Sequence, residues 1–169
     1  MREVIIVNLF ESDIKKSCKG QGIWFRRFRD VQMYKGSASP FDFLIWFDDK
    51  PLLIGMECKM LRARKNGNPK SFPFSMVSED QEEGIKKINQ LENSLGVVCI
   101  NVRWVNNKKG EVFVLTADEY FKYKQGFLEG RYKYRNTKSI PLEFLRDNCC
   151  QLYRPCKGWD LSQLRRLDI

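Results

Sequence analysis

The stretch from Phe41 to Lys59 constrains this chain most. Phe41 to Phe47 and Leu52 to Lys59 are two β-like runs joined by Asp48-Asp49-Lys50-Pro51. A tight antiparallel hairpin turning at Asp49-Lys50 pairs residues whose numbers sum to about 99. In that register Asp42 lies opposite Glu57. One face carries Phe41, Phe43, Ile45 and Phe47 beside Leu52, Ile54, Met56 and Cys58, and is wholly apolar. The other carries Leu44, Trp46, Leu53 and Gly55, with Asp42, Glu57 and Lys59 gathered at one end. Side chains alternate with period two, so the two sets can be checked against this register, and a one-residue slip would mix them. Apolar positions on both faces predict a central hairpin, covered on both sides.

The remaining elements read less sharply. A helix is expected through about Cys18, with Leu9, Phe10 and Ile14 at helical spacing and Gly20-Gln21-Gly22 ending it. Residues 23–34 read as an aromatic strand, 35–40 as a loop and 60–77 as a basic loop. Ser78-Glu79-Asp80-Gln81 has the capping-box pattern, with acidic residues suited to a helix N-terminus. That helix is expected to run through Ile85, Ile88 and Leu91 to Gly96. Val97 to Trp104 reads as a continuous apolar strand, 106–110 as a turn and Glu111 to Leu115 as another strand. A helix follows from Thr116 to about Gln125, then a short helix from Pro141 to Asn148 and a weakly helical tail near 160–168. The order is α-β-β-β-α-β-β-α, which predicts an α/β fold with a central mixed β-sheet flanked by helices.

A length of 169 residues predicts one domain, 1–169, with a full hydrophobic core. The net charge of +9 favours a polyanionic partner, and basic residues interleave with aromatics in Trp24-Phe25-Arg26-Arg27-Phe28-Arg29. None of the six cysteines forms a C-x-x-C pair, and no apolar run is long enough to span a membrane. The expectation is reduced thiols in the cytoplasm and no membrane partner. Cys149, Cys150 and Cys156 lack a histidine or a second pair to complete a zinc site. The chain has no histidine at all. That excludes Ser-His-Asp and Cys-His catalysis and any histidine general base. Hydrolytic chemistry here must use carboxylates, lysine, a metal and water.

The polar end of the hairpin can supply that chemistry. Carboxylates directly opposite across an antiparallel pair repel, unless something positive sits between them. Mg²⁺ takes oxygen from one or two carboxylates and fills its other positions with water and substrate phosphate. Glu57 and Lys59 are two apart and point to the same face. Lys59 would stand beside the metal and a scissile phosphate. The alternative is a solvated strand end, since an isolated Glu-x-Lys arises by chance in many chains.

The arrangement Ser39-Pro40-Phe41-Asp42 followed by Glu57-Cys58-Lys59 resembles the PD-(D/E)xK nuclease superfamily, with its restriction-endonuclease-like fold. Within it the chain looks most like the RecU-type Holliday junction resolvases, including small phage-encoded members. Asn8-Leu9-Phe10-Glu11 with Ile14-Lys15-Lys16-Ser17 looks like the family's first helix. Lys70-Ser71-Phe72-Pro73-Phe74 with Gln81 looks like the segment after the catalytic lysine, and Lys138-Ser139-Ile140-Pro141 like a short late motif. The matches reach from about residue 8 to residue 141. The proline stands two residues before Asp42 rather than beside it. Only about a dozen residues separate Phe28 from Asp42, where larger members carry a long stalk.

The resemblance implies Asp42 and Glu57 as ligands of Mg²⁺, for which Mn²⁺ would substitute, and Lys59 as the catalytic lysine. It implies Glu11 as a further acidic residue acting through the metal or a water, and Gln81 as a support to the site. Glu11 has an alternative as an exposed helix glutamate, and Gln81 as a capping partner only; the two roles of Gln81 are compatible. Arg26, Arg27, Arg29, Arg62, Arg64, Lys65 and Lys70 are the candidates for DNA backbone contacts. The implied activity is a crossover junction endonuclease of recombination and repair, making paired nicks in a four-way junction as a homodimer. Tyr120, Phe121, Tyr123 and Phe127 suit either a dimer interface or the core. Two alternatives stay open: a nuclease of the same type acting on flapped, mismatched or duplex DNA, and a basic DNA-binding module without catalysis.

Overall fold

A computed structural model describes residues 4–28, 41–63, 67–105, 110–134, 138–154 and 158–167, with side chains from residue 9. Helix α1 (Val4–Gly20) leads into β1 (Trp24–Arg27), β2 (Phe43–Phe47) and β3 (Leu52–Arg62). Then come β4 (Ser71–Pro73), a 3₁₀ turn at Phe74–Met76, α2 (Glu79–Asn89), β5 (Ser94–Arg103) and β6 (Glu111–Thr116). The chain continues through α3 (Ala117–Leu128), β7 (Ser139–Pro141), α4 (Leu142–Asn148), β8 (Cys150–Gln151) and a 3₁₀ turn at Leu161–Arg166. No helix among the described residues is long and apolar enough to cross a membrane.

Six strands form one sheet in the order β1-β2-β3-β5-β6-β8. Among the described residues only β3 and β5 are parallel, joined through α2; the other neighbours are antiparallel. The sheet is therefore mixed, as the alternation of elements predicts. Strands β4 and β7 make a separate two-stranded ladder. Each face of the main sheet has its own core. One core sets Phe10, Ile14 and Cys18 of α1 and Leu161 and Leu164 against Phe43, Ile45, Met56, Val97 and Val114. The other sets Ile85, Tyr120, Phe127, Phe144 and Leu145 against Val98, Ile100, Phe113 and Leu115. Tyr120 and Phe127 are buried in it and belong to the core, while Phe121 and Tyr123 are half-buried and pack against it.

The hairpin takes the expected register from Phe43↔Met56 to Phe47↔Leu52. It departs at Asp42, whose N–H donates to the Met56 carbonyl at 3.0 Å, one residue out of the ladder. A one-residue slip reverses faces. Phe41 accordingly does not join Phe43; its ring lies 3.3 Å from where a Cβ on Gly55 would stand, together with Ile88 of α2. This corrects the face expected for Phe41, and also the direct cross-strand pairing expected between Asp42 and Glu57, since the slip sets Asp42 against Met56 and Cys58 instead.

Three further expectations are corrected. Residues 60–62 continue β3 rather than opening a loop. Helix α2 ends at Asn89 instead of reaching Gly96, and Leu91 is exposed. Asn93, at φ 54°, turns the chain into β5. Gly96 sits inside β5, directly beside Gly55 of β3. A Cβ at Gly96 would stand 2.5 Å from the Ile85 carbonyl oxygen, and one at Gly55 2.7 Å from Ile88 Cδ1. The paired glycines let α2 lie close on the sheet, which carries its N-terminus toward Glu57 and Lys59.

Candidate active site

Strand β3 outruns β2. The ladder between them stops at Phe43↔Met56, while β3 continues to Arg62. At this step the N–H of Cys58 donates to Asp42 Oδ2 at 2.7 Å. The Asp42 carboxylate thus fills the place that the next β2 residue would have taken, and the one-residue slip positions it there. A pocket of about 260 Å³ opens at the step. It is lined by Phe10 and Glu11 of α1, Asp42, Glu57 to Met60 of β3, Met76, and Gln81 of α2. All five residues singled out for catalysis therefore share one pocket.

Glu57 is 1% exposed, deep in the sheet for a carboxylate. Its Oε1 accepts from Gln81 Nε2 at 2.7 Å and pairs with Lys59 Nζ, also at 2.7 Å. Lys59 Nζ donates in turn to Gln81 Oε1 at 2.9 Å. Glu57, Lys59 and Gln81 form a closed triangle. Gln81 also completes the capping box of α2: its Oε1 accepts from the Ser78 N–H at 3.1 Å, and its own N–H donates to Ser78 Oγ at 3.4 Å. Gln81 makes the contacts of both readings, the cap and the reach to the charged pair. Capping fixes the amide side chain at the head of α2, and the fixed side chain reaches both charged groups.

Glu11 is buried rather than an exposed helix residue, and it pairs with Arg27 of β1. Arg27 is half-buried and turned to this carboxylate. Arg26 is exposed, its guanidinium 5.6 Å from the Phe28 ring centre. Arg62 and Lys70 are exposed too. Arg29, Arg64 and Lys65 lie outside the described residues.

Burial, and then the charges of Asp42, Cys99, Glu57 and Glu11, push the Cys58 thiol well above its ordinary range. It stays a neutral thiol at the pocket floor, without thiolate reactivity. Cys18, Cys99, Cys149 and Cys150 are free as well, and Cys156 lies outside the described residues.

The donor set fits a hard divalent cation. Glu11, Asp42 and Glu57 bring carboxylate oxygens to one pocket. Among the described residues, no three of His, Cys, Asp or Glu stand together as a ready ligand set. Mg²⁺ needs only one or two carboxylates and keeps the rest of its sphere for water and phosphate.

Two groups escaped sequence reasoning. Arg103 of β5 and Arg154 both approach Asp13 of α1, Nη2 of Arg103 at 3.2 Å and Nη1 of Arg154 at 3.6 Å. Contacts 90 residues or more apart leave no local signal in a sequence.

No protein-family model matches the chain, and no curated protein matches it. Among solved structures, the chain is similar to Hjc of Archaeoglobus fulgidus, a Holliday junction resolvase from an archaeal hyperthermophile. The likeness covers 82% of this chain and 91% of that one, at 13% identity and a TM-score of 0.47. At that score it adds nothing to the functional reading, which rests on the pocket.

Proposed function

We propose that this chain is a Mg²⁺-dependent DNA endonuclease of the PD-(D/E)xK type, which nicks branched DNA and resolves four-way junctions as a homodimer. One observation carries the reading. Glu11, Asp42, Glu57, Lys59 and Gln81, drawn from four separate stretches of the chain, line one pocket at the end of β3. The mixed sheet and the motif order from Glu11 to Pro141 agree with the RecU-type resemblance and its restriction-endonuclease-like fold.

Asp42 and Glu57 would hold the ion, with Glu11 acting through it or through a water, and Mn²⁺ would substitute. When bound, such an ion supplies positive charge against the phosphate and makes water acidic enough to attack near neutral pH. The protein's own groups do the rest. An ammonium has three N–H donors. Lys59 commits two of them, to Gln81 and Glu57. The third is free, among the described residues, for a phosphate oxygen or the attacking water. Gln81 holds Lys59 in place from the rigid head of α2. A lysine aimed in advance needs little rearrangement as charge builds on the phosphate. With no histidine in the chain, Lys59 and water carry the proton chemistry.

A second reading keeps the site and changes the substrate to flapped, mismatched or duplex DNA. The short connection between Phe28 and Asp42 favours it, because so few residues leave little to enter a junction centre. Competing an unlabelled four-way junction against linear duplex separates the two. Preference for the junction by tenfold or more supports resolution, and equal competition supports the broader nuclease.

A further inference from the structure

The parallel register sets Arg62 of β3 directly beside Arg103 of β5. Like charges at neighbouring positions on adjacent strands destabilise a sheet. A third arginine, Arg154, comes from the C-terminal segment. Arg103 and Arg154 share one carboxylate, Asp13 of α1, and Arg62 has no carboxylate partner among the described residues. The three guanidinium groups thus outnumber the carboxylate by two charges. Burial disfavours the charge on Arg103 most, Asp13 favours it, and Arg62 and Arg154 disfavour it.

The cluster is held in place. Arg103 Nε donates to Asn101 Oδ1 at 2.7 Å, and Asn101 is fully buried and donates to the Glu111 carbonyl at 3.2 Å. The Arg154 guanidinium lies 5.1 Å from the Trp159 ring centre. Arginines from three parts of the chain are therefore pre-positioned around an incomplete charge balance. They also adjoin the pocket. Met60 lines it, and Arg62 is two residues further along β3 on the same face, roughly 7 Å away. That is about two base steps at the 3.4 Å rise of one DNA strand.

We infer that Arg62, Arg103 and Arg154 form a phosphate site, which takes a backbone phosphate of the DNA strand close to the one cut in the pocket. Asp13 keeps Arg103 and Arg154 together until the phosphate arrives. Arginine forks suit this, since they bind phosphate oxygens in pairs. The inference rests on the nuclease reading for its ligand, but its test does not depend on cleavage.

The test measures binding of a four-way junction and of a linear duplex in EDTA across a salt series. The proteins are wild type, Arg62→Gln, Arg154→Gln, the double variant, and Lys87→Gln as a charge-matched control at the opposite end of the sheet. Each arginine variant should lower the slope of log affinity against log salt by about 0.9, and the double variant by about twice that. Lys87→Gln should leave the slope as it is. Melting temperatures of the variants, taken without DNA, should stay within a few degrees of wild type. Inorganic phosphate forms a separate arm. Unchanged slopes in the arginine variants overturn the inference, as does an equal fall in Lys87→Gln. It is also overturned if millimolar phosphate stabilises the wild type alone while the DNA slopes do not move, because the site then serves free phosphate. Failure of the nuclease reading would show instead as the absence of Mg²⁺-dependent nicks, whatever the slopes.

Discussion

Gln81 Oε1 accepts one hydrogen bond from the Ser78 N–H and another from Lys59 Nζ. One side-chain oxygen thus ends a helix and aims the lysine of the pocket. Helix position and site geometry are coupled through a single residue, and the coupling can be taken apart.

Ser78→Ala should cost about 1 kcal/mol through the lost cap and reduce nicking only modestly, since Gln81 still reaches Glu57 and Lys59. Gln81→Ala should cost a similar amount and reduce nicking by roughly tenfold or more, about 1.4 kcal/mol or above in the transition state. Urea unfolding and single-turnover nicking, run on both variants, check this. Equal loss of activity in the two would reduce Gln81 to a cap.

The glycine pair makes a prediction about packing. At Gly96 an added methyl meets the backbone oxygen of Ile85, whereas at Gly55 it meets the mobile end of the Ile88 side chain. Gly96→Ala should therefore destabilise more than Gly55→Ala, on the order of 1–3 kcal/mol. It should also lower nicking by shifting α2, and with it Gln81. Denaturant midpoints rank the two variants, and the reverse order would contradict the close seating of α2.

These details show what the sequence could and could not carry. The hairpin register from Phe43 to Phe47 was readable because both faces alternate and the turn is short. The start of α2 at Ser78 is readable because a capping box is a local pattern. The end of α2 was not, since Leu91 continues the spacing of Ile85 and Ile88 and no proline interrupts it. Gly96 looked like a helix stop, but its lack of a side chain serves the seating of the helix on the sheet. The slip at Asp42 depends on a side chain replacing a ladder partner, which no periodicity reports. Strands β4, β7 and β8 are two or three residues long and too short to alternate. The hairpin register and the order of residue types bring Asp42, Glu57 and Lys59 to one end of the hairpin; the triangle of Glu57, Lys59 and Gln81 and the pairing of Glu11 with Arg27 are long-range geometry.

That pairing gives a third prediction. Glu11→Gln and Arg27→Gln should each reduce nicking, and the double variant should lose less than the product of the two, because the residues act through one contact. A double-mutant cycle on nicking rate and on stability measures the coupling. Full additivity in both would show that the pair does nothing for the site.

The buried thiols predict alkaline sensitivity. Burial pushes Cys18 and Cys149 up to about 12 from the ordinary 9.0. Their folded pKa is raised, so their contribution to stability is full below about pH 9. It is lost between about pH 9 and pH 12, as the unfolded chain releases protons that the folded chain keeps. Stability should fall across that window, and less steeply in Cys149→Ala. Thermal melts from pH 8 to pH 11 test the slope; parallel curves for variant and wild type would contradict the assignment.

The central claim is that the pocket cuts branched DNA through Lys59 and its carboxylates. The most direct measurement incubates a synthetic immobile four-way junction with wild type, Asp42→Asn and Lys59→Ala, with and without Mg²⁺. Wild type should make symmetric nicks near the branch point only with Mg²⁺. Both variants should still bind the junction while nicking falls by at least about 10²-fold, the scale for removing one group that stabilises transition-state charge. No nicking by wild type with Mg²⁺ or Mn²⁺, or equal nicking by Lys59→Ala and wild type, would contradict the account.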